Sequence, residues 1–277
     1  MKKRESKPRI SIALFVALVA AAIAGAESRA QSAAVGVILI HGNWGSPETC
    51  CMSRLAHALE NAGYLVSNPE MPWSLHRLYD SDSANADAEI AWEIGRLRSR
   101  GAQKVFLIGH SFGATYAAHY LSREDADGAV LIAPAHFMER GLATLFAEEL
   151  QAAQESLELG KGGDQILFRD INTNGCRLGM RVGAATLLSY IDPRGPLNFA
   201  LSLRAIPADR PILWIWPNRE QQRLLDALAD YRETFVGVKG RSIIDVDAEH
   251  LNSPDIAKDR IIAWLSQQSA SLVTLSR

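Results

Sequence analysis

Ser111 is the residue around which covalent chemistry can be built. It lies in Gly109-His110-Ser111-Phe112-Gly113, directly after the apolar run Val105-Phe106-Leu107-Ile108 and directly before the helix-forming run Ala114-Thr115-Tyr116-Ala117-Ala118. A strand that turns into a helix through Gly-x-Ser-x-Gly lifts the serine hydroxyl clear of the backbone, the arrangement called a nucleophile elbow. Gly109 and Gly113 lack the Cβ atoms that would collide with neighbouring backbone. The pentapeptide alone arises by chance in about one chain in ten of this length. Its setting between a strand and a helix is what makes it informative.

A serine hydroxyl is a poor nucleophile at neutral pH, so it needs a base to take its proton and an acid to orient that base. His250 is the expected base. It follows the apolar run Ser242-Ile243-Ile244-Asp245-Val246 by four residues and is flanked by acidic and small residues. His41 and His110 sit inside motif backbones and are expected to support loops, His57 and His119 fall within helices, and His76 and His136 lie in loops able to line a pocket. Glu220, four residues past Trp216, is the expected acid, about 30 residues before His250. Its bland alternative is a carboxylate favourable at a helix N-terminus. Asp226 and Asp230 would lie inside the following helix, and Asp245 and Asp247 on the last strand or its exit. A tetrahedral intermediate also needs two preorganised N–H donors. Phe112 N–H is one, and the loop after His41-Gly42 supplies the other, through Asn43 first and Trp44 second. No paired Cys/His spacing suggests zinc and no glycine-rich phosphate loop is present, so no cofactor or metal is expected.

The elements that must position these groups alternate along the chain. Ala34 to Ile40 is a continuous apolar run with β-branched residues, as in a central parallel strand buried on both faces. A helix with Met52, Leu55 and Leu59 on one face follows, capped by Thr49 or Ser46 and closed by Gly63. Tyr64-Leu65-Val66 begins the next strand. A helix over roughly 84–98 turns Ile90, Ile94 and Leu97 inward. After the elbow, Gly128 to Ala133 is another buried strand. The rhythm then breaks over about 137–210, an interval too long for an ordinary crossover. Leu142, Leu145, Phe146 and Leu150 suggest one amphipathic helix there, and the interval reads as a cap inserted over the active face. Pro211 to Trp216 resumes as a buried strand, followed by a helix over 220–229 and the last strand. Ser253 as N-cap and Pro254 open the final helix. Strand–helix alternation of this kind specifies an α/β fold with a doubly wound, mostly parallel sheet.

The 277 residues, 48% hydrophobic and 22% charged, have an ordinary globular composition. Residues 1–30 are a separate matter: a basic start at Lys2-Lys3-Arg4, an apolar run from Ile10 to Ala26, and small residues at Ser28 and Ala30 resemble a signal peptide cut after Ala30. The alternative is an uncleaved anchor, for which the run is slightly short. The expected location is therefore outside the cytoplasm, periplasmic or secreted, with no stable membrane insertion once the leader is cleaved. Loss of the leader takes six Lys/Arg and two Glu from the totals of 29 and 31, leaving 23 and 29 and a net charge of −6. Such an acidic chain without a basic patch is a poor nucleic-acid binder. In an exported protein Cys176 is the natural disulfide partner of Cys50 or Cys51; three reduced thiols are the alternative.

The set His41-Gly42-x-x-Gly45, Gly109-His110-Ser111-Phe112-Gly113, an acid after the next-to-last strand and His250 after the last resembles the α/β-hydrolase superfamily over roughly residues 34–268. The order nucleophile–acid–histidine agrees with that family. The chain is similar to exported bacterial hydrolases of this fold that carry Pro-Glu-Met-Pro-Trp-Ser, here Pro69 to Ser74. The departure is Glu220, where the family usually has Asp. The resemblance implies a domain over 34–277 with an inserted cap, and a serine hydrolase acting on a small-molecule carboxylic ester or amide, esterase rather than peptidase. A binding protein with a dead site on the same fold, and an acyltransferase, are the rival readings. Fold alone does not choose among them.

Overall fold

A computed structural model describes residues 35–235 and 240–270. The expected leader, residues 1–30, lies outside them. Strands β1 (Val35–Ile40), β2 (Leu65–Ser67), β3 (Lys104–His110), β4 (Gly128–Ile132), β7 (Ile212–Pro217) and β8 (Arg241–Val246) form a six-stranded sheet. Its order is β2-β1-β3-β4-β7-β8 and every pairing is parallel. The chain runs outward from β1 to β2 and then returns to build the other way from β3. The gap between β1 and β3 is thus the topological switch point, where ligands bind in open sheets.

The sheet is covered on both faces because alternate side chains of its strands point opposite ways. Val35, Val37 and Leu39 of β1, with Phe106 and Ile108 of β3, meet helix α1 (Cys50–Asn61) through Met52, Leu55 and Leu59, and helix α8 (Ser253–Ala270) through Ile261, Trp264 and Leu265. Ile38 and Ile40, with Val105 and Leu107, face helix α2 (Ser83–Ser99), which buries Ile90, Ile94 and Leu97 as its periodicity predicts. Helix α3 (Phe112–Leu121) is buried along its whole length behind β3 and β4.

Between β4 and β7 the chain leaves the sheet. Two short 3-10 turns (Met138–Arg140 and Leu142–Phe146) lead into α4 (Ala147–Glu158), then an antiparallel hairpin of β5 (Gln165–Ile171) and β6 (Arg177–Gly183), then α5 (Ala184–Ile191) and α6 (Phe199–Ala205). The single amphipathic helix expected over Leu142–Leu150 is therefore a 3-10 turn followed by a helix. The hairpin was not expected. Its signals are the inward alternation of Ile166, Phe168 and Asp170 and the turn pair Asn174-Gly175, with Gly175 at φ 81°. Phe146, Phe168 and Tyr190 carry the insertion into the core on the α2 side of the sheet.

Helix α7 (Gln222–Phe235) begins two residues later and runs further than expected. Thr49 stands at the N-cap of α1, but its hydroxyl accepts from Ser46 N–H at 2.9 Å and makes no capping bond. Ser253 is already inside α8, and its hydroxyl is engaged elsewhere. Cys176, on the turn between β5 and β6, is an exposed free thiol, so the expected tether from it to Cys50 or Cys51 is corrected. Among the described residues no helix is long and apolar enough to cross a membrane.

Candidate active site

Ser111 stands between β3 and α3 at φ 57°, ψ −123°, a conformation costly for any residue with a Cβ. It is held there by close approach of backbone on either side. A Cβ on Gly109 would strike Gly113 O, and one on Gly113 would strike Ile40 O at the end of β1. Replacing Gly109 would displace the start of α3, and replacing Gly113 would displace the end of β1. Ser111 N–H completes the turn by donating to Ile132 O at 2.9 Å.

His250 Nε2 lies 2.8 Å from Ser111 Oγ, and its Nδ1 is hydrogen-bonded to Glu220 Oε2. All three side chains are buried. The other Glu220 oxygen accepts from Gln221 N–H at 2.8 Å, so the carboxylate is anchored at both ends. The alternatives Asp226, Asp230, Asp245 and Asp247 are not hydrogen-bonded to His250. The His250 backbone is fixed through its carbonyl, which accepts from His110 Nε2–H at 2.9 Å and from Ser253 Oγ–H at 2.8 Å. Burial, and then the neighbouring His250, depress the His110 pKa to about 3, so this ring is a neutral donor.

Phe112 N–H opens helix α3 and has no acceptor in the preceding turn, as first-turn amides do not. Facing it is the loop after β1. Among the described residues Asn43 N–H has no hydrogen-bond partner, whereas Trp44 N–H donates to Trp73 O at 3.0 Å. Of the two expected amides, that of Trp44 is therefore already engaged. The loop is pinned by the Pro69–Ser74 stretch. Met71 N–H donates to His41 Nε2 at 3.0 Å, His41 Nδ1–H turns back to Gly42 O, and Trp73 Nε1–H donates to His41 O at 2.9 Å. Gly42 lies so close to Ser111 that an added Cβ would stand 2.9 Å from the serine Cβ.

Of the two histidines expected to line a pocket, His136 does so and His76 does not. His119, on α3, bridges Asp87 and Pro196 O, and His57 and His76 are exposed beside Glu60 and Glu70. His136 is buried, with its ring 4.8 Å from that of Phe112. A cavity of about 70 Å³ above Ser111 is bounded by Gly42, His136, Asn172, Thr173 and Leu251. Across the wall formed by His136, Asn172 and Thr173 lies a second of about 260 Å³, lined by Phe137, Leu142, Leu145, Ile171 and Leu224, with Arg140 and Arg223 at its edge. Asp170 is the functional candidate that sequence reasoning passed over. It is fully buried on the insertion hairpin and bonded to Asn43, Trp44 and Tyr79. Among the described residues no grouping of three or more His, Cys, Asp or Glu side chains is arranged to hold a metal ion.

A sequence profile of the alpha/beta hydrolase family matches residues 37–274. The chain belongs to that family. The hydrolase fold extends over the parallel sheet, the elbow and the helices on both faces, and its solved examples superpose on most of the chain. Est1E from Butyrivibrio proteoclasticus, solved with ferulic acid, aligns over 85% of this chain and 89% of its own, with a TM-score of 0.59 and 12% identity. The Pyrococcus furiosus esterase Pf2001 aligns over 86% and 82%, at 0.54 and 16%. The Paleococcus ferrophilus monoacylglycerol lipase aligns over 84% and 94%, at 0.56 and 17%. No protein of curated function matches the sequence.

Proposed function

We propose that this hydrolase-fold chain is a serine hydrolase of carboxylic esters. The observation that carries the reading is one imidazole hydrogen-bonded on its two sides to Ser111 Oγ and to Glu220. In the first half-reaction Ser111 Oγ attacks the ester carbonyl while His250 Nε2 takes its proton. Glu220 holds the Nδ1–H tautomer and stabilises the imidazolium that forms. The carbonyl oxygen, now an oxyanion, is met by Phe112 N–H and Asn43 N–H, donors worth roughly 10²–10³ in rate each. Collapse breaks the ester C–O bond, and the departing alcohol takes the proton from His250. Water, deprotonated by the same imidazole, then attacks the acyl-enzyme and releases the acid with Ser111 restored. The small cavity suits the reacting carbonyl, and the larger, mainly apolar one suits one arm of the ester. Structural relatives named as esterases and a lipase are consistent with this class. Residues 137–210 serve as the cap that shapes that arm's site, and residues 1–30 direct export.

The test is a panel of p-nitrophenyl esters of increasing acyl length on the mature protein, beside a fluorophosphonate label. Ser111→Ala should lower turnover by about 10⁶, as loss of the nucleophile does in a serine protease triad, and should abolish labelling. Ester hydrolysis surviving in that variant sinks the assignment. A wild-type chain that takes no label is instead a binding protein on this fold.

A further inference from the structure

The buried carboxylate of Asp170 lies outside the triad, and its surroundings are unusual. Its Oδ2 accepts from Asn43 Nδ2 at 3.0 Å and Trp44 Nε1 at 2.9 Å, with Tyr79 OH 2.9 Å away. Its Oδ1 accepts from Ile171 N–H at 2.7 Å and faces His136 Nε2 at 3.9 Å. Tyr79 OH also lies 3.0 Å from Asn43 Oδ1, so its single proton is shared between that oxygen and Asp170. Trp44, Tyr79 and His136 all hold positive φ, at 56°, 58° and 68°. Strained backbone in residues with bulky side chains persists only where surrounding contacts over-determine it. Here those contacts converge on one carboxylate, delivered by the hairpin of the insertion to the loop after β1.

We propose that Asp170 is a positioning residue that sets the oxyanion site: the insertion hairpin, through this carboxylate, fixes Asn43 and Trp44 so that Asn43 N–H points at the carbonyl oxygen in the transition state. The inference rests on the reading of Ser111 and Asn43 given above. A carboxylate suits the site because Asn43 Nδ2, Trp44 Nε1 and Ile171 N–H, which divide between its two oxygens, can only donate, and an amide in its place must turn its NH₂ toward at least one of them. Burial by itself would push the Asp170 carboxyl up, but the surrounding donors and His136 outweigh it and hold the group below the ordinary range, ionised at working pH. Docking of the insertion and assembly of the oxyanion site are then one event.

The experiment compares wild type, Asp170→Asn, Trp44→Phe and the double variant on one p-nitrophenyl ester. It also measures inhibition by a trifluoromethyl ketone, whose hemiketal with Ser111 places an oxyanion in the site. For Asp170→Asn, kcat should fall about 30-fold or more with KM within about threefold, the scale expected of a small misplacement of a catalytic donor. The ketone's Ki should rise by the same factor as kcat falls. Trp44→Phe should lose less, and the two losses should not add, since both break one contact. A folded Asp170→Asn protein with wild-type kcat and Ki overturns the proposal. If that variant does not fold, Trp44→Phe decides alone: kcat lowered about fivefold or more, with a parallel rise in Ki, upholds it, and unchanged constants overturn it. A wild type that neither turns over the ester nor takes a fluorophosphonate removes the catalytic reading itself, and the inference with it. That outcome is distinct from an Asp170 variant behaving like an active parent.

Discussion

His110 immediately precedes Ser111 in the elbow motif, and its ring donates to the carbonyl of His250. It helps to fix the His250 backbone. Its depressed pKa has a consequence for stability. In the unfolded chain an ordinary histidine protonates below about pH 6.5, whereas in the fold this ring stays neutral to about 3. Between those values the unfolded state binds the extra proton, so stability is full above about 6.5 and falls as pH drops toward 3. His110→Gln keeps an N–H donor of similar reach but cannot titrate. Its melting temperature should therefore fall less steeply between pH 7 and 4 than that of wild type, as followed by circular dichroism. Equal slopes for the two proteins would remove His110 as the group responsible.

At the scale of elements, the site is made by two strand–helix junctions forced together. The end of β1 and the start of α3 approach so closely that Gly113 has no room for a side chain against Ile40 O. Gly113→Ala should cost about 3 kcal/mol or more, read as a lowered midpoint in urea, because relief requires β1 to shift from its register with β3. Activity in any folded fraction should fall with it, since Asn43 stands just beyond the end of β1. A variant of wild-type stability would mean the junction yields more readily than its backbone contacts indicate. These junctions were legible in the chain: apolar runs gave the strands, and glycine punctuation marked where they turn. The insertion was only partly so. Its hairpin is short, exposed on alternate positions, and interrupts the hydrophobic pattern with an inward aspartate, which a reader of periodicity takes for surface.

For the whole molecule, two features concern how the chain is processed and held together. Cys176 is exposed at the tip of the insertion hairpin, which packs onto the sheet domain through Phe168 and Asp170 with no disulfide at its tip. Intact-mass spectrometry of protein recovered from the periplasm, treated with a maleimide but no reductant, reads both points. The mass should begin at Gln31, and Cys176 should carry the label. A mass beginning at Met1 would indicate a retained leader, and an unlabelled Cys176 would restore the covalent tether.

The sequence by itself determined the sheet, because burial on both faces demands apolar runs that no other role requires. It also nominated Ser111, His250 and Glu220 by their places at strand ends. It could not determine Asp170. Its hydrogen-bond partners Asn43, Trp44 and Tyr79 lie 127, 126 and 91 residues away along the chain. Only the closing of the insertion over β1 turns an unremarked aspartate into the acceptor those donors share. Tertiary structure likewise decides that the Trp44 amide is engaged, since that depends on Trp73 O, a partner that spacing does not reveal.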